Sequence, residues 1–287
     1  MKLGIFGLPD PKMTFTEEID YAKASGLSAI EPFPVQEFAT PDVVAAKRLK
    51  EYAEKQGIDI CCFSYAVSVV GEDCRTQIEN LKRYADVAAA LGSPYLHHTI
   101  YPVLSHDFKK MPFKQLLKRA VDSIREVYDY AEQTGVKCIY EDQGYIFNGC
   151  ERFDALLNEV NRDIGLVADL GNILFVGETP EEFVGHFAPY ISHVHVKDYL
   201  FKSGNGLYPG EEWYNTRNGD YLRGTVVGHG TVDFEKILKI LLSTGYEGYY
   251  SMEYDGLEDA MQASKIGQRN IKRYYEAAKA HKESFCK

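Results

Sequence analysis

Residues 132–142 read EQTGVKCIYED, and this short stretch contains a complete junction between a helix and a buried strand. Gly135 follows a helix-forming segment, and a glycine in that place adopts the left-handed conformation that reverses the chain. An apolar run begins at Val136, and a run of four to eight such residues is typical of a strand buried on both faces. The stretch therefore predicts a helix, a sharp turn and a buried strand with Glu141 at its tip.

The same pattern recurs along the chain at four other glycines, in KASGLSAIEPF, EKQGIDICCFS, AALGSPYLHHT and LSTGYEGYYSMEYD. Amphipathic segments lie between the apolar runs, for example at 76–90 and 113–133, where apolar residues recur at helical spacing. Eight strands are predicted, at Leu3–Phe6, Ser28–Pro32, Asp59–Ser64, Pro94–Thr99, Val136–Asp142, Gly165–Asp169, Ile191–Lys197 and Gly248–Tyr254.

Regular alternation of strands and helices implies parallel strands joined by right-handed crossovers. Eight such units predict an α/β fold, a single (β/α)₈ TIM barrel. A doubly wound open sheet competes with this interpretation, but no G-x-G-x-x-G follows the first strand. No linker or low-complexity segment divides the chain, so residues 1–287 are expected to form one barrel domain.

Composition limits the classes of partner. The chain has 45% hydrophobic and 26% charged residues and a formal net charge of −10, whereas nucleic-acid binders carry a basic surface. No apolar run reaches the ~18 residues that a membrane span requires, and MKLGIFGLPD is too short and broken for a signal peptide. Six cysteines without C-x-x-C spacing indicate reduced thiols. We expect a cytoplasmic protein that binds neither nucleic acid nor a membrane.

Residues 191–198 read ISHVHVKD, so His193, His195 and Lys197 share one face of a strand. In (β/α)₈ barrels the chemistry lies where strands end. Three carboxylates also follow apolar strands, and they lie at Glu141, Asp169 and Glu253. Four consecutive strands therefore present metal-ligating groups at the same height.

Converging carboxylates repel one another unless a cation compensates them. Three oxygen donors and one imidazole suit one divalent ion, with Mn²⁺ favoured over Mg²⁺, Co²⁺ or Zn²⁺. Each residue also has a structural explanation: a glutamate can form a salt bridge or cap a helix, Asp169 can form a turn, and His193 can be a hydrogen-bonded core histidine. The coincidence of four groups on four strands favours the metal.

The motifs YED, VADLGN, HVHVKD, GHGTVDF and SMEYDG, in this order, resemble the xylose isomerase-like barrels, which include sugar phosphate isomerase/epimerases, ketose 3-epimerases and inosose dehydratases. The resemblance covers essentially the whole chain. It implies that Glu141, Asp169, His195 and Glu253 bind the metal. It also implies that Glu141 and Glu253 form the acid/base pair of an isomerase or epimerase that forms a metal-stabilised cis-enediolate from a small carbohydrate.

The chain departs from the family pattern at three points. Asn172 stands where many relatives have histidine, His229 lies between Gly228 and Gly230 where many have glutamate, and the epimerases' arginine after the metal-binding histidine is missing. Arg217 or Arg223 could replace it. Only one of His97 and His98 can point inward, and we expect His98. The candidates for substrate binding are Lys197, Asn172, His98, Glu31, Arg223, His229 and Trp213.

Several functions stay open. The leading interpretation is a metal-dependent sugar isomerase or epimerase. The alternative is an inosose-type dehydratase, or a lyase acting on a keto-sugar or 3-keto glycoside through the same enolisation. An apurinic-site endonuclease would need more histidines, and a non-catalytic binding barrel would not need all four ligands. The aromatic-rich segment 199–231 is expected to be a functional loop, and this loop and the final helix could support a homo-oligomer.

Overall fold

The computed structural model describes residues 1–105 and 111–285. Its strands are β1 (Lys2–Phe6), β2 (Ala29–Glu31), β3 (Asp59–Ile60), β4 (Phe63–Tyr65), β5 (Tyr95–His98), β6 (Lys137–Glu141), β7 (Gly165–Asp169), β8 (Ile191–Val196), β9 (Asp198–Lys202), β10 (Tyr214–Asn215), β11 (Tyr221–Thr225) and β12 (Tyr249–Glu253). Its α-helices are α1 (Phe15–Ala24), α2 (Val43–Gln56), α3 (Cys74–Leu91), α4 (Phe113–Thr134), α5 (Cys150–Val160), α6 (Pro180–Phe187), α7 (Phe234–Ser243) and α8 (Ala260–Phe285).

Nine strands form one parallel sheet in the order β3-β2-β1-β12-β8-β7-β6-β5-β4. The two outermost strands of this order, β3 and β4, are halves of one barrel strand that is interrupted at Cys61 and Cys62. Hydrogen bonds continue past the interruption, because Cys61 N donates to Ile30 O (3.1 Å) and Ser64 N donates to Pro32 O (3.0 Å). The barrel is therefore closed, and the prediction of a (β/α)₈ TIM barrel is confirmed.

Two predicted details of the strands have different outcomes. The third strand, predicted as continuous over Asp59–Ser64, is split in two. The chain turns at Gly135, by contrast, with a left-handed φ of 79° and an N–H that donates to the carbonyls of Ala131 and Glu132. The four other glycines of the repeated pattern, Gly26, Gly57, Gly92 and Gly245, also have positive φ.

The two ends of the barrel interior differ in chemistry. Cys62, Ile139 and Val167 form a small apolar cluster inside the barrel, and Tyr95 packs against it. Side chains alternate along a strand, so the residues two positions further along β6 and β7 also point inward. These are Glu141 and Asp169. Polar side chains therefore collect at the carboxyl ends of the strands, above an apolar floor.

The expected loop at 199–231 contains three short strands, which form an antiparallel sheet in the order β10-β11-β9 and are joined by turns. Tyr199 and Leu222 lie on one face of this sheet and pack with Phe175 and Tyr145 in a second buried cluster. The alternation of these apolar residues is a strand pattern, which the Gly and Asn content of the segment obscured. We call β9, β10 and β11 the rim sheet.

The part of the chain that the structure describes contains no helix that combines the length and the apolar character needed to cross a bilayer.

Candidate metal centre

Four neighbouring strands each place one ligand-type side chain at the barrel mouth. Glu141, Asp169 and Glu253 are the last residues of β6, β7 and β12, and His195 is the penultimate residue of β8. Parallel register aligns them, because Asp169 pairs with His195 across β7 and β8. One ligand atom from each residue lies within 4.8 Å of those of the others. The structure thus brings together the four predicted ligands.

Nδ1 of His195 lies at the centre of this group. It is 2.7 Å from Glu141 Oε1, 3.7 Å from Glu253 Oε2 and 4.0 Å from Asp169 Oδ2. Phe6 stacks on the imidazole ring, with ring centroids 4.9 Å apart and planes inclined by 28°. One ring nitrogen is therefore directed at all three carboxylates, and an aromatic ring restricts its rotation.

One carboxylate oxygen of Asp169 accepts backbone hydrogen bonds, and the other accepts none from the described residues. Its Oδ1 accepts hydrogen bonds from the N–H groups of Gly171 and Asn172, both at 2.8 Å. Its Oδ2 is buried and makes no hydrogen bond with the described residues. Lys197 Nζ is 3.5 Å from that oxygen. Because a buried carboxylate oxygen that accepts no hydrogen bond is costly, this oxygen supports the assignment of a cation site.

The charge balance favours a cation as well. Burial raises the pKa of Glu141, and it raises the pKa of Glu253 to about 7, with Asp169 adding repulsion in both cases. Lys197 donates to Glu253 Oε1 at 2.7 Å; burial opposes its charge, but Asp169 and Glu253 raise its pKa well above the usual value. His195 contributes a second cation, because burial opposes its charge but Glu31 and Glu141 raise its pKa well above the usual value. These two cations do not neutralise the four carboxylates of Glu31, Glu141, Asp169 and Glu253. Three oxygen ligands and one nitrogen ligand fit a hard or borderline divalent ion.

Glu31 lies directly beneath His195 and is fully buried. Its Oε1 is 2.9 Å from His195 Nε2 and its Oε2 is 2.8 Å from His193 Nε2, while Ser64 also donates to Oε1. Burial opposes the charge of Glu31, but the imidazoles of His195 and His193 lower its pKa well below the usual range. The sequence predicted a substrate contact here; the structure instead places Glu31 where it orients the imidazole. His193 is a hydrogen-bonded core histidine.

The choice of His98 as the inward-pointing histidine was wrong. His97 points into the barrel, with Nδ1 2.9 Å from Ser64 Oγ and Nε2 3.7 Å from Glu141 Oε2. His98 lies on the opposite face of β5, where its Nδ1 is 2.9 Å from Thr99 O and its ring packs edge-on against Tyr140. Burial there lowers the pKa of His98 to about 4. The alternation of side chains along a strand shows that His97 and His98 lie on opposite faces of β5, but it does not show which of them faces inward.

The remaining substrate-binding candidates fall into two groups. Lys197 and Asn172 are buried at the centre itself, and Asn172 Nδ2 has no hydrogen-bond partner among the described residues. Arg223 lies on β11 of the rim sheet and Trp213 directly precedes β10, and the guanidinium is 5.4 Å from the indole ring centroid. His229 is exposed on the turn after β11. Only the first group adjoins the four ligands.

Two further residues, Arg217 and Asp198, hold the rim sheet in place. The sequence suggested Arg217 only as a possible replacement for the missing arginine, and it gave Asp198 no role. Arg217 donates to the carbonyls of Tyr145 and Val176, so it fastens the rim sheet to neighbouring loops. Asp198 was not predicted to have a role, although it directly follows Lys197. Its carboxylate accepts backbone N–H bonds at residues 199, 228, 230 and 232, over 2.7–3.2 Å. The one feature of the sequence that could have indicated this role is the position of Asp198 at the end of the motif HVHVKD.

Comparison with protein families gives one match over most of the chain. A family model described as xylose isomerase-like TIM barrel matches residues 19–274. Among curated proteins, the chain is 26% identical over 245 residues to the rhizopine catabolism protein MocC of Rhizobium meliloti, covering 80% of this chain and 74% of that protein. It is 27% identical over 140 residues to the inosose dehydratase of Clostridium perfringens, covering 47% and 46%. The chain thus spans about half the length of that dehydratase.

Solved structures share the fold at low sequence identity. An L-ribulose 3-epimerase superposes with a TM-score of 0.76 at 16% identity, covering 99% of this chain and 97% of that chain. The IOLI protein with a bound zinc atom superposes with a TM-score of 0.74 at 20% identity, covering 96% and 98%. At these identities the similarity establishes the architecture of the barrel.

Proposed function

The chain belongs to the xylose isomerase-like TIM barrel family, and from that membership and the geometry of its site we propose that it is a divalent-metal-dependent enzyme that enolises a small ketose or sugar derivative. Isomerisation or epimerisation is the leading outcome. The observation that carries the proposal is the group of Glu141, Asp169, His195 and Glu253, whose ligand atoms lie within 4.8 Å of one another. Mn²⁺ is the preferred ion, and Mg²⁺, Co²⁺ and Zn²⁺ also fit this donor set.

A divalent cation held by these four residues would polarise a carbonyl and its neighbouring hydroxyl, which would acidify the C–H bond of the carbon that carries this hydroxyl. Glu141 and Glu253 are the residues that we assign to the proton transfer. One removes the proton to give a cis-enediolate, and the other returns a proton on the opposite face or at the adjacent carbon. We assign Lys197 and Asn172, which are both buried, to donate hydrogen bonds to substrate oxygens.

A dehydratase is the second candidate, because the curated relatives include proteins named inosose dehydratase. The same enolisation would then be followed by loss of a β-hydroxyl, or by release of an aglycone from a 3-keto glycoside. Lys197, as an ammonium beside Glu253, could donate the proton that a departing hydroxyl requires. The two candidates share every step up to the enediolate and differ in the product.

The test begins with protein from which metal has been removed with a chelator. Separate samples are reloaded with Mn²⁺, Mg²⁺, Co²⁺ or Zn²⁺, and elemental mass spectrometry measures the metal content of each. One ion per chain is expected. The loaded protein is then incubated with ketoses, inososes and 3-keto glycosides in D₂O, and the products are analysed by mass spectrometry and NMR. Deuterium in a product of otherwise unchanged mass supports isomerisation or epimerisation, and loss of water or of an aglycone supports the second candidate. Failure of all four ions to bind would contradict the proposal.

A further inference from the structure

Three polar side chains from three segments of the chain meet just beyond the carboxyl end of β12. Tyr199 on β9 donates from its hydroxyl to Asp255 Oδ2 at 3.3 Å, and Tyr214 on β10 donates to Asp255 Oδ1 at 3.4 Å. Asp255 itself follows the last residue of β12 by two positions. We call Tyr199, Asp255 and Tyr214 the mouth cluster.

The mouth cluster adjoins the metal centre through Lys197 and Gly171. A β-carbon added to Gly171 would lie 2.7 Å from Tyr199 Cε2 and 3.2 Å from Lys197 Cγ, so the phenol ring and the lysine stem pack against the same backbone. The N–H of Gly171 donates to Asp169 at 2.8 Å, and Lys197 Nζ is 2.7 Å from Glu253 Oε1. The cluster is therefore one side chain away from two of the four proposed ligands.

The electrostatic surroundings of the two phenols agree with this position. Burial raises the pKa of Tyr199 well above its usual value, Lys197 opposes this rise, and Asp255 adds to it. Burial and Asp255 likewise raise the pKa of Tyr214, and Lys197 again opposes the rise. Both hydroxyls thus lie within electrostatic range of the lysine that contacts the metal centre.

A substrate bound at the centre extends towards the mouth cluster. The apolar floor of Cys62, Ile139 and Val167 closes the barrel interior on the opposite side of the centre. Two residues of chain span at most ~7 Å, so the backbone of Asp255 lies within that distance of Glu253. A small sugar that binds the ion through its carbonyl end can therefore place its far hydroxyls beside the carboxylate of Asp255.

The carboxylate of Asp255 has acceptor capacity for such hydroxyls. It is exposed, a carboxylate accepts about four hydrogen bonds, and both of its bonds from tyrosines are longer than the ~2.8 Å typical of O–H···O bonds. The arginines of the rim do not balance its charge, because Arg217 donates to two backbone carbonyls. Arg223 directly follows Leu222 on β11 and so lies on the face of the rim sheet opposite to Tyr199.

We propose that Asp255 is a specificity-determining residue, which accepts hydrogen bonds from substrate hydroxyls remote from the enolised carbon and excludes a phosphate there, so that the substrate is an unphosphorylated sugar or cyclitol. Tyr199 and Tyr214 orient the carboxylate from two sides and are positioning residues. The inference rests on the proposed enolising function, because it takes the carbonyl end of the substrate to be bound at the four-ligand centre.

The test compares D-fructose with D-fructose 6-phosphate, and an inosose with its monophosphates, by isothermal titration of the Mn²⁺-loaded protein. The better-bound parent should bind at least ~10-fold tighter than its ester, because the phosphate meets the charge of Asp255. Asp255→Asn should weaken binding of the parent about 10-fold and reduce the preference over the ester to under ~3-fold. An ester that the unchanged protein binds as tightly as its parent would overturn the inference.

Glu212→Gln is the matched control, because Glu212 is also exposed, directly precedes Trp213 at the rim and loses the same charge. Its affinities should equal those of the unchanged protein, and equal losses in both variants would overturn the inference. For a substrate that turns over, Asp255→Asn should raise KM about 10-fold and change kcat by under ~3-fold. Melting temperatures and circular dichroism establish that each variant is folded.

A second arm separates failure of the inference from failure of the proposed function. The Mn²⁺-loaded protein is titrated with myo-inositol and its monophosphates, which have no carbonyl group and cannot be enolised. If myo-inositol binds in preference to its esters and Asp255→Asn removes that preference, while no ketose or inosose exchanges deuterium, the inference holds and the enolising function is wrong. If deuterium exchanges but neither affinity nor preference depends on Asp255, the inference alone is wrong. If no sugar or cyclitol binds, both are wrong.

Discussion

Glu141 and Glu253 have different surroundings, although both end barrel strands beside the same imidazole. The side chain of Glu141 is 2% exposed, whereas that of Glu253 is 22% exposed and contacts Lys197. Glu253 is therefore the carboxylate that faces the barrel mouth and an incoming substrate. Its exposure and its position at the mouth make it the carboxylate of the pair that we assign to proton exchange with the substrate.

Replacing Glu253 by Gln should therefore lower kcat by about 10²–10⁴, because the amide cannot accept the substrate proton. Turnover is measured with the reloaded protein as deuterium exchange into the substrate. Glu247→Gln, an exposed change two residues before β12, is the control and should retain activity. If Glu253→Gln exchanges deuterium at the original rate, Glu253 is not a proton-transfer group.

Glu31→Gln should weaken Mn²⁺ binding about 10–100-fold, because the amide accepts one fewer hydrogen bond from the two imidazoles beneath the centre. Affinity is measured by calorimetry without substrate, so the result does not depend on catalysis. Glu247→Gln should leave the affinity unchanged. Unaltered affinity in Glu31→Gln would show that the orientation of His195 does not depend on this carboxylate.

Glu18, on α1, is fully buried, and neither carboxyl oxygen has a hydrogen-bond partner among the described residues. Burial raises its pKa well above the usual value, and Glu31 and Glu37 raise it further. Above pH ~4.3 the unfolded chain releases this proton while the folded chain retains it, so the free energy of unfolding falls as the pH rises. The carboxyl of Glu18 is thus a source of instability at neutral pH.

Glu18→Gln removes this titration. The variant should match the unchanged protein at pH 4 and exceed it by about 1–3 kcal/mol in free energy of unfolding at pH 7. Urea denaturation at several pH values measures the difference. Exposed Glu51→Gln is the control, with an expected change under ~0.5 kcal/mol. A difference that does not increase with pH would contradict the assignment.

For individual residues, the sequence predicted which four side chains come together at the candidate metal centre, but it did not predict all of the residues that contact them. Glu141, Asp169 and Glu253 were found because each follows an apolar run, and His195 was found because it alternates with valines in ISHVHVKD. Glu31 follows one too, yet its partners, His193 and His195, come from a strand on the far side of the interior. His97 and His98 could not be separated, because the phase of β5 depends on its register with β4 and β6, which a single sequence does not fix.

At the scale of elements, Asp198 joins β9 to the turn at 228–232. Gly228 N and Gly230 N donate to Oδ2 at 2.9 and 2.7 Å. Asp198→Asn offers an N–H₂ group in place of one oxygen, so either orientation of the amide leaves backbone donors unmatched. We expect the free energy of unfolding to fall by about 2–4 kcal/mol and proteolysis at the turn to accelerate.

Chemical denaturation measures the first effect, and mass spectrometry of limited digests measures the second. Asp220→Asn is a useful control within the same sheet, because its carboxylate accepts one backbone bond, from Gly204 N at 2.9 Å. An Asp198→Asn variant as stable as this control would show that the turn does not depend on Asp198.

The helix–strand junctions were predictable because glycine and apolar runs act locally. The rim sheet was not, because its strands are short and its buried face forms only against Phe175 and Tyr145, which belong to other βα loops. The split of the third strand at Cys61 and Cys62 could not be predicted either, because it also depends on contacts with other parts of the barrel. The apolar run through these cysteines is continuous in sequence, and the break arises where the barrel closes.

At the scale of the whole molecule, we propose that residues 1–287 unfold as one unit. The only tryptophan, Trp213, reports on the rim sheet, whereas far-ultraviolet circular dichroism reports mainly on the helices. The two transitions should coincide in urea. Addition of Mn²⁺ at 100 times its dissociation constant should stabilise the folded state by about 2.7 kcal/mol. Separate transitions would show that the rim sheet unfolds independently of the barrel.

The closure of the barrel has a consequence for how the protein is made in the cell. Lys2 pairs with Tyr249 and Phe6 pairs with Glu253, so the earliest strand is bound on one side by the latest. A ribosome adding ~5–20 residues per second needs on the order of tens of seconds to supply that partner. Throughout this time one edge of β1 is open to chaperones, and a metal ion could not meet all four proposed ligands until Glu253 has been synthesised.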